Sequence, residues 1–466
     1  MKLYKEINKN PSIAWITEKI IDRRINSEYY DVSNLSQSEK LSSMEYISKY
    51  FDLSKKRFDP NKYKKQTFKY IDISNVDINT GKYEISVIDK FEAPSRARKK
   101  VDKGDILIST VRPNRNAVAI ISENDEGLVA STGFAVLLSK DNIDRYYSFA
   151  ALKNQFTIKQ LIRKASGGMY PAIAEEEVMS LKIPIPSPEI QKYIGDKVRR
   201  AEELREEAIT LQKDIDILLE VDMLLEETDR TNNIFHSKVN WTNEINIVDR
   251  IDPNFYQKKY RTTIEKLGDN KVELGELVKI SKRRYQTGDI NKYIEISSIN
   301  NSFGTIDEVE ELRPEEIPTS AKHQVKEGDI LVSLVRPTRK AISIVTKEYD
   351  NAICTGGFAV LQSKGKVPVE FLTAVLRTNF AGIQFERYCT GSTYPTINEN
   401  DVVKIFIPQY SEKQINKITE KYRRIIESIY RSKKLIQEAK QDVEDLIEGN
   451  FEMSKLNNDS GTESRC

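Results

Sequence analysis

The stretch Gly104-Asp-Ile-Leu-Ile-Ser-Thr-Val-Arg-Pro-Asn-Arg115 returns as Gly328-Asp-Ile-Leu-Val-Ser-Leu-Val-Arg-Pro-Thr-Arg339. The match extends outward from there. Residues 104–184 align with residues 328–408 without a gap, and about 31 of the 81 pairs are identical, which marks a duplicated unit. A repeat of this length is far beyond that of a solenoid or propeller, so each copy is expected to fold around its own core. The chain reads as two similar binders on one polypeptide.

Within the first copy, Gly104-Asp105 reads as a turn feeding a strand over residues 106–111, with a return strand over residues 117–121. Between them lies Arg112-Pro113-Asn114-Arg115, where proline suits the second position of a type I turn and puts two arginines at a hairpin tip. Gly133-Phe-Ala-Val-Leu137, copied at residues 357–361, is expected to be a buried strand. Residues 146–162, copied at residues 368–385, are expected to be helical. Ser166-Gly-Gly-Met-Tyr-Pro-Ala-Ile173 answers Thr390-Gly-Ser-Thr-Tyr-Pro-Thr-Ile397, a loop leading into a short helix at residues 175–179. A tyrosine held before proline, Tyr170 or Tyr394, either stacks on a ligand or packs the loop against its domain.

Upstream, Tyr70-Ile-Asp-Ile-Ser74 answers Tyr293-Ile-Glu-Ile-Ser297, and Arg24-Ile-Asn-Ser-Glu-Tyr-Tyr30 answers Arg250-Ile-Asp-Pro-Asn-Phe-Tyr256. Residues 13–24 are expected to form a helix. The copies diverge between the early strands and the glycines, where two binders on one scaffold would differ in what they bind.

Proline closes each copy at Ile183-Pro-Ile-Pro-Ser-Pro188 and Ile407-Pro-Gln409, and a long helix follows. In the second helix Ile415, Ile418, Tyr422, Ile425, Ile429, Ser432, Ile436, Ala439, Val443 and Leu446 alternate at spacings of three and four, the seam of a coiled coil. The first runs Ile194, Val198, Ala201, Leu204, Ala208, Leu211, Ile215, Leu218 and Leu225, with a phase slip near Ala201 and Asp222 in the seam. Each helix would be about 60 Å long. Neither can bury its stripe alone, so the two are expected to pair, and antiparallel pairing would hold the domains at opposite ends; parallel pairing, or pairing with another chain, stays open. The expected fold class is α+β, two homologous mixed units and a pair of long antiparallel coiled-coil helices with pseudo-twofold symmetry. The expected divisions are residues 1–187, a helix over 188–230, residues 231–410, a helix over 411–450 and a disordered tail over 451–466.

Composition narrows the function. Charged residues make up 31% and apolar ones 39% of 466 residues, a charge-rich globular balance. The amino terminus lacks an apolar h-region and no run is long enough to span a bilayer, so no membrane role is expected and the chain is placed in the cytoplasm. Three cysteines (Cys354, Cys389, Cys466) and two histidines (His236, His323) show no metal-ligand spacing. No metal or cofactor is expected. Net charge is only +2, yet cations cluster at residues 55–57, 62–69, 96–100 and 279–284, which suits a polyanion as well as solvated faces.

The ordered set of Gly-Asp-Ile-Leu, Arg-Pro, Gly-Phe-Ala-Val-Leu, a glycine-containing loop ending Tyr-Pro-x-Ile, and Ile-Pro before a long helix, occurring twice, resembles the specificity subunit of type I restriction-modification systems. The resemblance spans about residues 24–448. The sequence departs from the family where the proline-rich Glu-Gln ending shrinks to Ser187-Pro-Glu-Ile-Gln191 and Ser411-Glu-Lys-Gln414. The resemblance implies two target recognition domains, each reading half of a bipartite asymmetric sequence in double-stranded DNA, with the helix pair as the ruler for the unread spacer. It also implies docking of two methyltransferase (modification) subunits and of motor-nuclease (restriction) subunits, and a non-catalytic role in phage defence.

DNA binding needs cations along a face, since most contacts go to phosphates while a few groups reach base edges. The candidates are Lys62, Lys64, Lys65, Arg96, Arg98, Arg112 and Arg115 with Tyr170 in the first copy, and Lys282, Arg283, Arg284, Arg336 and Arg339 with Tyr394 in the second. The four repeated arginines serve something common to both copies, either phosphate contact or a structural salt bridge to Asp105 or Asp329. A methyltransferase activity would need an Asn/Asp-Pro-Pro-Tyr/Phe loop, and Asp252-Pro-Asn-Phe255 lacks the second proline; no phosphate-binding Gly-x-x-x-x-Gly-Lys-Ser/Thr loop occurs. The alternatives are a coiled-coil scaffold that binds no DNA and a recognition module of another methyltransferase-type phage-defence system.

Overall fold

The strand Ile106–Ser109 sits inside a four-stranded antiparallel sheet in the order Phe51–Leu53, Phe134–Ser139, Ile106–Ser109, Val118–Ile120. Its unbroken apolar run is explained by burial on both faces. Ile106 and Ile108 pack among helices, whereas Leu107 packs the other way, with Leu128, Ala130 and Val136, onto a second sheet. That sheet runs Ser86–Asp89, Thr67–Ile71, Leu128–Ser131, Ala97–Val101, and its middle pair is parallel. The computed structural model describes residues 4–9, 12–16, 27–30, 39–122, 127–167, 169–219, 250, 252–307 and 309–458.

The second copy repeats both sheets. One runs Val278–Ile280, Phe358–Ser363, Ile330–Ser333, Ile342–Ile344; the other runs Glu310–Leu312, Asn291–Ile294, Ile353–Thr355, Ala321–Gln324, again with a parallel middle pair. The upstream echo holds as well, since Ser27–Tyr30 and Pro253–Tyr256 are both short 3-10 turns. The backbone carbonyls of Tyr29 and Phe255 accept from Arg163 and Arg387 respectively.

Each helical segment expected after the last long strand is two helices. Arg145–Lys153 and Gln155–Lys164 meet at Asn154, whose side chain accepts from the amides of Phe156 and Thr157 and so starts the second helix. Val369–Leu376 and Asn379–Tyr388 are divided in the same way by Thr378. The helix expected at residues 13–24 is corrected over its first part: Ser12–Ile16 is a strand, paired antiparallel with Tyr4–Lys9, because cross-strand pairing overrides the local apolar spacing. Residues 17–24 lie outside the described residues.

The chain divides into two units: unit 1 holds residues 1–203 and 431–466, and unit 2 holds residues 204–430. The long helices, Pro188–Leu219 and Glu412–Glu448, each contribute one part to each unit. In unit 1, Ile194, Val198 and Ala201 pack with Ile436, Ala439, Val443 and Ile447 in one core with the sheet and the Arg145–Lys153 helix. Lys197 ion-pairs Asp442 at 2.5 Å and the Ser432 hydroxyl donates to the Ala201 carbonyl at 2.8 Å. In unit 2, Ala208, Leu211, Ile215 and Leu219 pack with Ile418, Tyr422, Ile425 and Ile429. There Lys421 pairs Asp214 at 2.5 Å, Arg424 pairs Glu207, and the Tyr410 hydroxyl donates to the Leu219 carbonyl at 2.6 Å.

In both units partners on one helix rise in number as those on the other fall, so the pairing is antiparallel. Of the first seam, Leu219 rather than Leu218 is the fully buried residue. Asp222 and Leu225 lie outside the described residues, as do His236 and Cys466. The tail expected to be disordered from residue 451 docks at its start. Phe451 meets the Tyr193 ring edge to face, Lys455–Asn458 forms a short helix, and Lys455 pairs Asp442 at 2.9 Å. The apolar Phe451 and Leu456 make this segment a packing element, which the polar average of the tail conceals.

Candidate nucleic-acid interface

The hairpin tip forms as the proline demands. The amide of Arg115 donates to the Arg112 carbonyl at 2.9 Å, closing a turn with Pro113 second, and Arg339 and Arg336 do the same at 2.9 Å. Arg112 (φ 49°) and Arg336 (φ 48°) hold left-handed backbone, a conformation that costs a non-glycine residue about 1–3 kcal/mol and persists only where its surroundings fix it. The fixing element is the glycine-containing loop. Arg112 N–H donates to the Pro171 carbonyl at 2.7 Å and Arg336 N–H to the Pro395 carbonyl at 2.8 Å. Paired backbone bonds between Ser166 and Ala172, and between Thr390 and Thr396, close each loop into a narrow lobe. Gly167 and Gly391 turn it with φ of 98° and 86°.

This brings each arginine onto a tyrosine far away in sequence. The Arg112 guanidinium lies 4.6 Å from the Tyr170 ring centre, and that of Arg336 lies 4.3 Å from the Tyr394 ring centre. The tyrosines are 62% and 65% exposed, so they do not pack their loops onto the domain. Arg115 and Arg339 stand exposed beside them. Among the described residues none of the four arginines forms an ion pair. The carboxylates considered as their partners are engaged elsewhere: Asp329 takes Arg283, and Asp105 accepts from the Asp102 amide. Each unit therefore presents a planar cation on an aromatic ring, the combination that meets phosphates and bases.

In unit 1, Lys62, Lys64 and Lys65 ride on an excursion pinned by the Phe58, Tyr63 and Phe68 rings. All three are exposed, Lys62 within 4.0 Å of Asp59. The excursion runs beside the strand Ala97–Val101, bonded through Phe58 N–H to the Arg98 carbonyl at 2.7 Å, which brings exposed Arg96 and half-buried Arg98 to the same region. In unit 2, Lys282 and Arg284 are exposed. Arg283 differs, since its guanidinium is committed to the buried carboxylate of Asp329.

Two positions escaped sequence reasoning. Lys99 is buried and ion-pairs Glu175 at 2.5 Å; its counterparts in unit 2 are His323 and Glu399. Burial pushes the Lys99 ammonium down against the pull of Glu175, and burial together with neighbouring Lys322 pushes the His323 imidazole down against Glu399. The signal was in the aligned repeat, where the glutamate recurs while the lysine opposite it becomes a histidine.

Among the described residues no group of histidine, cysteine and carboxylate side chains could hold a metal, and no helix is long and apolar enough to cross a membrane.

Residues 5–216 match the family model of the type I restriction modification DNA specificity domain. The HindI specificity subunit of Haemophilus influenzae is 31% identical over 147 residues, covering 30% of this chain and 31% of that protein, so the match spans about a third of the relative's length. Among solved structures, the HsdS subunit of Thermoanaerobacter tengcongensis is 21% identical, with 87% of this chain and 95% of that chain covered at a TM-score of 0.32. The S subunit of M. genitalium is 16% identical, with 88% and 96% covered at 0.42. Residues 5–216 are thus similar to the type I restriction modification DNA specificity domain, and the internal repeat carries the same sheet orders into unit 2.

Proposed function

We propose that this chain is the DNA-reading subunit of a type I restriction-modification complex, unit 1 reading one half of a bipartite asymmetric target and unit 2 the other. The observation that carries the reading is the exposed arginine-on-tyrosine stack, built identically in two units whose other basic segments differ. Shared parts suit what both half-sites share, the phosphate backbone; diverged parts suit the bases. The candidates for backbone contact are Arg112, Arg115, Tyr170, Arg336, Arg339 and Tyr394, with Lys62, Lys64, Lys65, Arg96 and Arg98, and Lys282 and Arg284, on the flanks, while Arg283 stays with Asp329.

In this reading the chain supplies address and no chemistry. Two methyltransferase subunits dock on it, motor-nuclease subunits join them, and the paired helices set the unread spacer. A cytoplasmic location follows from that role. The test is a domain exchange: replacing residues 50–187 by those of another family member changes one half of the methylated sequence in the source cell and leaves the other intact. Arg112→Ala and Arg336→Ala weaken duplex binding by the assembled complex and each lower its salt slope by about 1. Binding indifferent to salt would sink the reading and leave a protein-binding scaffold. Both half-sites changing together in the exchange would refute independent readers.

A further inference from the structure

The two units part company at one buried position. In unit 1 the Lys99 ammonium, 3% exposed, lies between Glu175 and the Phe134 carbonyl, so this buried charge is met from within the fold. In unit 2 the matching strand residue is His323, bridged to Arg284 as Lys99 is to Arg57. The imidazole is shorter than a lysine, and its Nε2 is buried without a hydrogen-bond partner among the described residues, in a residue 7% exposed. A buried polar atom left unpaired costs about 1–3 kcal/mol, so a fold that keeps one at the wall of an open cleft calls for a partner from outside.

The cleft encloses about 960 Å³ and is lined by Lys282, Arg284, Tyr285, Lys322, His323 and Glu399. Its chemistry is graded. Three cations against one carboxylate suit a polyanion, whereas Glu399 beside the imidazole repels a phosphate from that wall. A histidine kept neutral by burial offers one lone pair or one N–H, and the carboxylate only accepts. That set matches a major-groove edge carrying an exocyclic amino group: adenine, with its N7 alongside, or cytosine, with the O6 of its paired guanine alongside. Tyr285 adds a flat apolar wall.

We propose that this cleft is the base-reading pocket of unit 2, with Glu399 accepting from the exocyclic amino group, His323 Nε2 meeting the adjacent edge atom, and Lys282, Arg284 and Lys322 holding the flanking phosphates. The inference rests on the reading of unit 2 as a DNA-binding unit and locates its specificity. Unit 1 closes the equivalent place with its own Lys99–Glu175 pair and reads elsewhere.

The test is selection from a randomised duplex library by the full chain purified with its methyltransferase subunits. His323→Lys installs the pair that unit 1 already accommodates, and Glu399→Gln alters only a half-buried carboxylate. Both are expected to reduce preference by about tenfold at one or two adjacent positions of one half-site and to leave the other half-site unchanged. Arg284→Ala, on the exposed rim, is expected to weaken binding to every sequence with the selected preferences intact. Variants that select the wild-type sequence at every position would overturn the pocket while leaving the functional reading standing. A wild-type complex that selects no sequence would overturn both. Should His323→Lys fail to fold, Glu399→Gln decides.

Discussion

Asp442 holds two lysines at once, and its removal gives a quantitative test of how the long helices are joined in unit 1. Its side chain is 4% exposed and meets Lys197 at 2.5 Å, itself 14% exposed, and Lys455 at 2.9 Å. Breaking a buried ion pair from one side costs about 3–5 kcal/mol, because the remaining charge stays desolvated. Two features pull Asp442→Ala toward the lower end. Lys455 keeps Asp445 at 3.4 Å, and Lys197 retains Glu438 at 3.9 Å. A loss of about 3 kcal/mol in a unit of this size lowers its melting temperature by about 6–12 °C.

Scanning calorimetry or near-ultraviolet dichroism of the full chain reads the transition of unit 1, with the transition of unit 2 as internal control. Replacing both charges, Lys197→Met with Asp442→Leu, is expected to restore most of the loss, since an apolar pair of similar volume is often as stable as a buried ion pair. The pH dependence has a definite sign. Burial pushes Lys197 down, but its hydrogen bonds to Asp442 and Tyr193 outweigh burial and hold the ammonium above its ordinary value of 10.5. Its contribution is complete below that value and is lost as pH rises through the raised one. A single variant that melts within a degree of wild type, or a double variant no better than the single, would refute this account of the helix contact.

Two further outcomes follow from burial and backbone geometry. Gly81 and Gly304 occupy equivalent turns at φ of 73° and 71°, and an added Cβ would come within 2.6 Å of the Val118 carbonyl and 2.7 Å of the Ile342 carbonyl. Alanine at either should cost its unit about 2–5 kcal/mol, whereas Gly328→Ala, with the same hand of backbone but open space, should cost about 1–2 kcal/mol; thermal melts that rank the three equally would contradict the packing. Burial pushes the Cys354 thiol up to about 12, so its alkylation at pH 8, mapped by peptide mass spectrometry, should run slower by ~100-fold or more than in the unfolded chain.

The elements legible in the sequence are those whose cause is local. Strand Ile106–Ser109 announces itself because it is apolar throughout, the hairpin tip because proline permits little else, and the long helices because their stripes recur with the helical period. What stayed hidden depends on the chain returning to itself. Nothing in Ser166-Gly-Gly-Met-Tyr says that its tyrosine will meet Arg112; that contact is made by a backbone bond from Arg112 to Pro171, about sixty residues on. Asn154 and Thr378 look like ordinary polar residues inside helical patterns until their side chains are seen capping a second helix. Likewise the pairing of Tyr4–Lys9 with Ser12–Ile16 defeats a helical spacing, and the docking of Phe451 defeats a polar average. The basic candidates were legible as charge, but whether a cation is free or committed, as Arg283 is to Asp329, is decided by burial of the partner.

The way unit 1 is assembled from residues 1–203 and 431–466 has a consequence for biogenesis. When a ribosome has made the first segment, Ile194, Val198 and Ala201 still lack Ile436, Ala439 and Val443. At synthesis rates of about 5–20 residues per second, the missing segment emerges roughly 10–50 seconds later, after unit 2 has been translated. The nascent chain must shelter an apolar stripe through that interval, so a holdase chaperone should associate with chains stalled within unit 2 and let go once the closing helix is released.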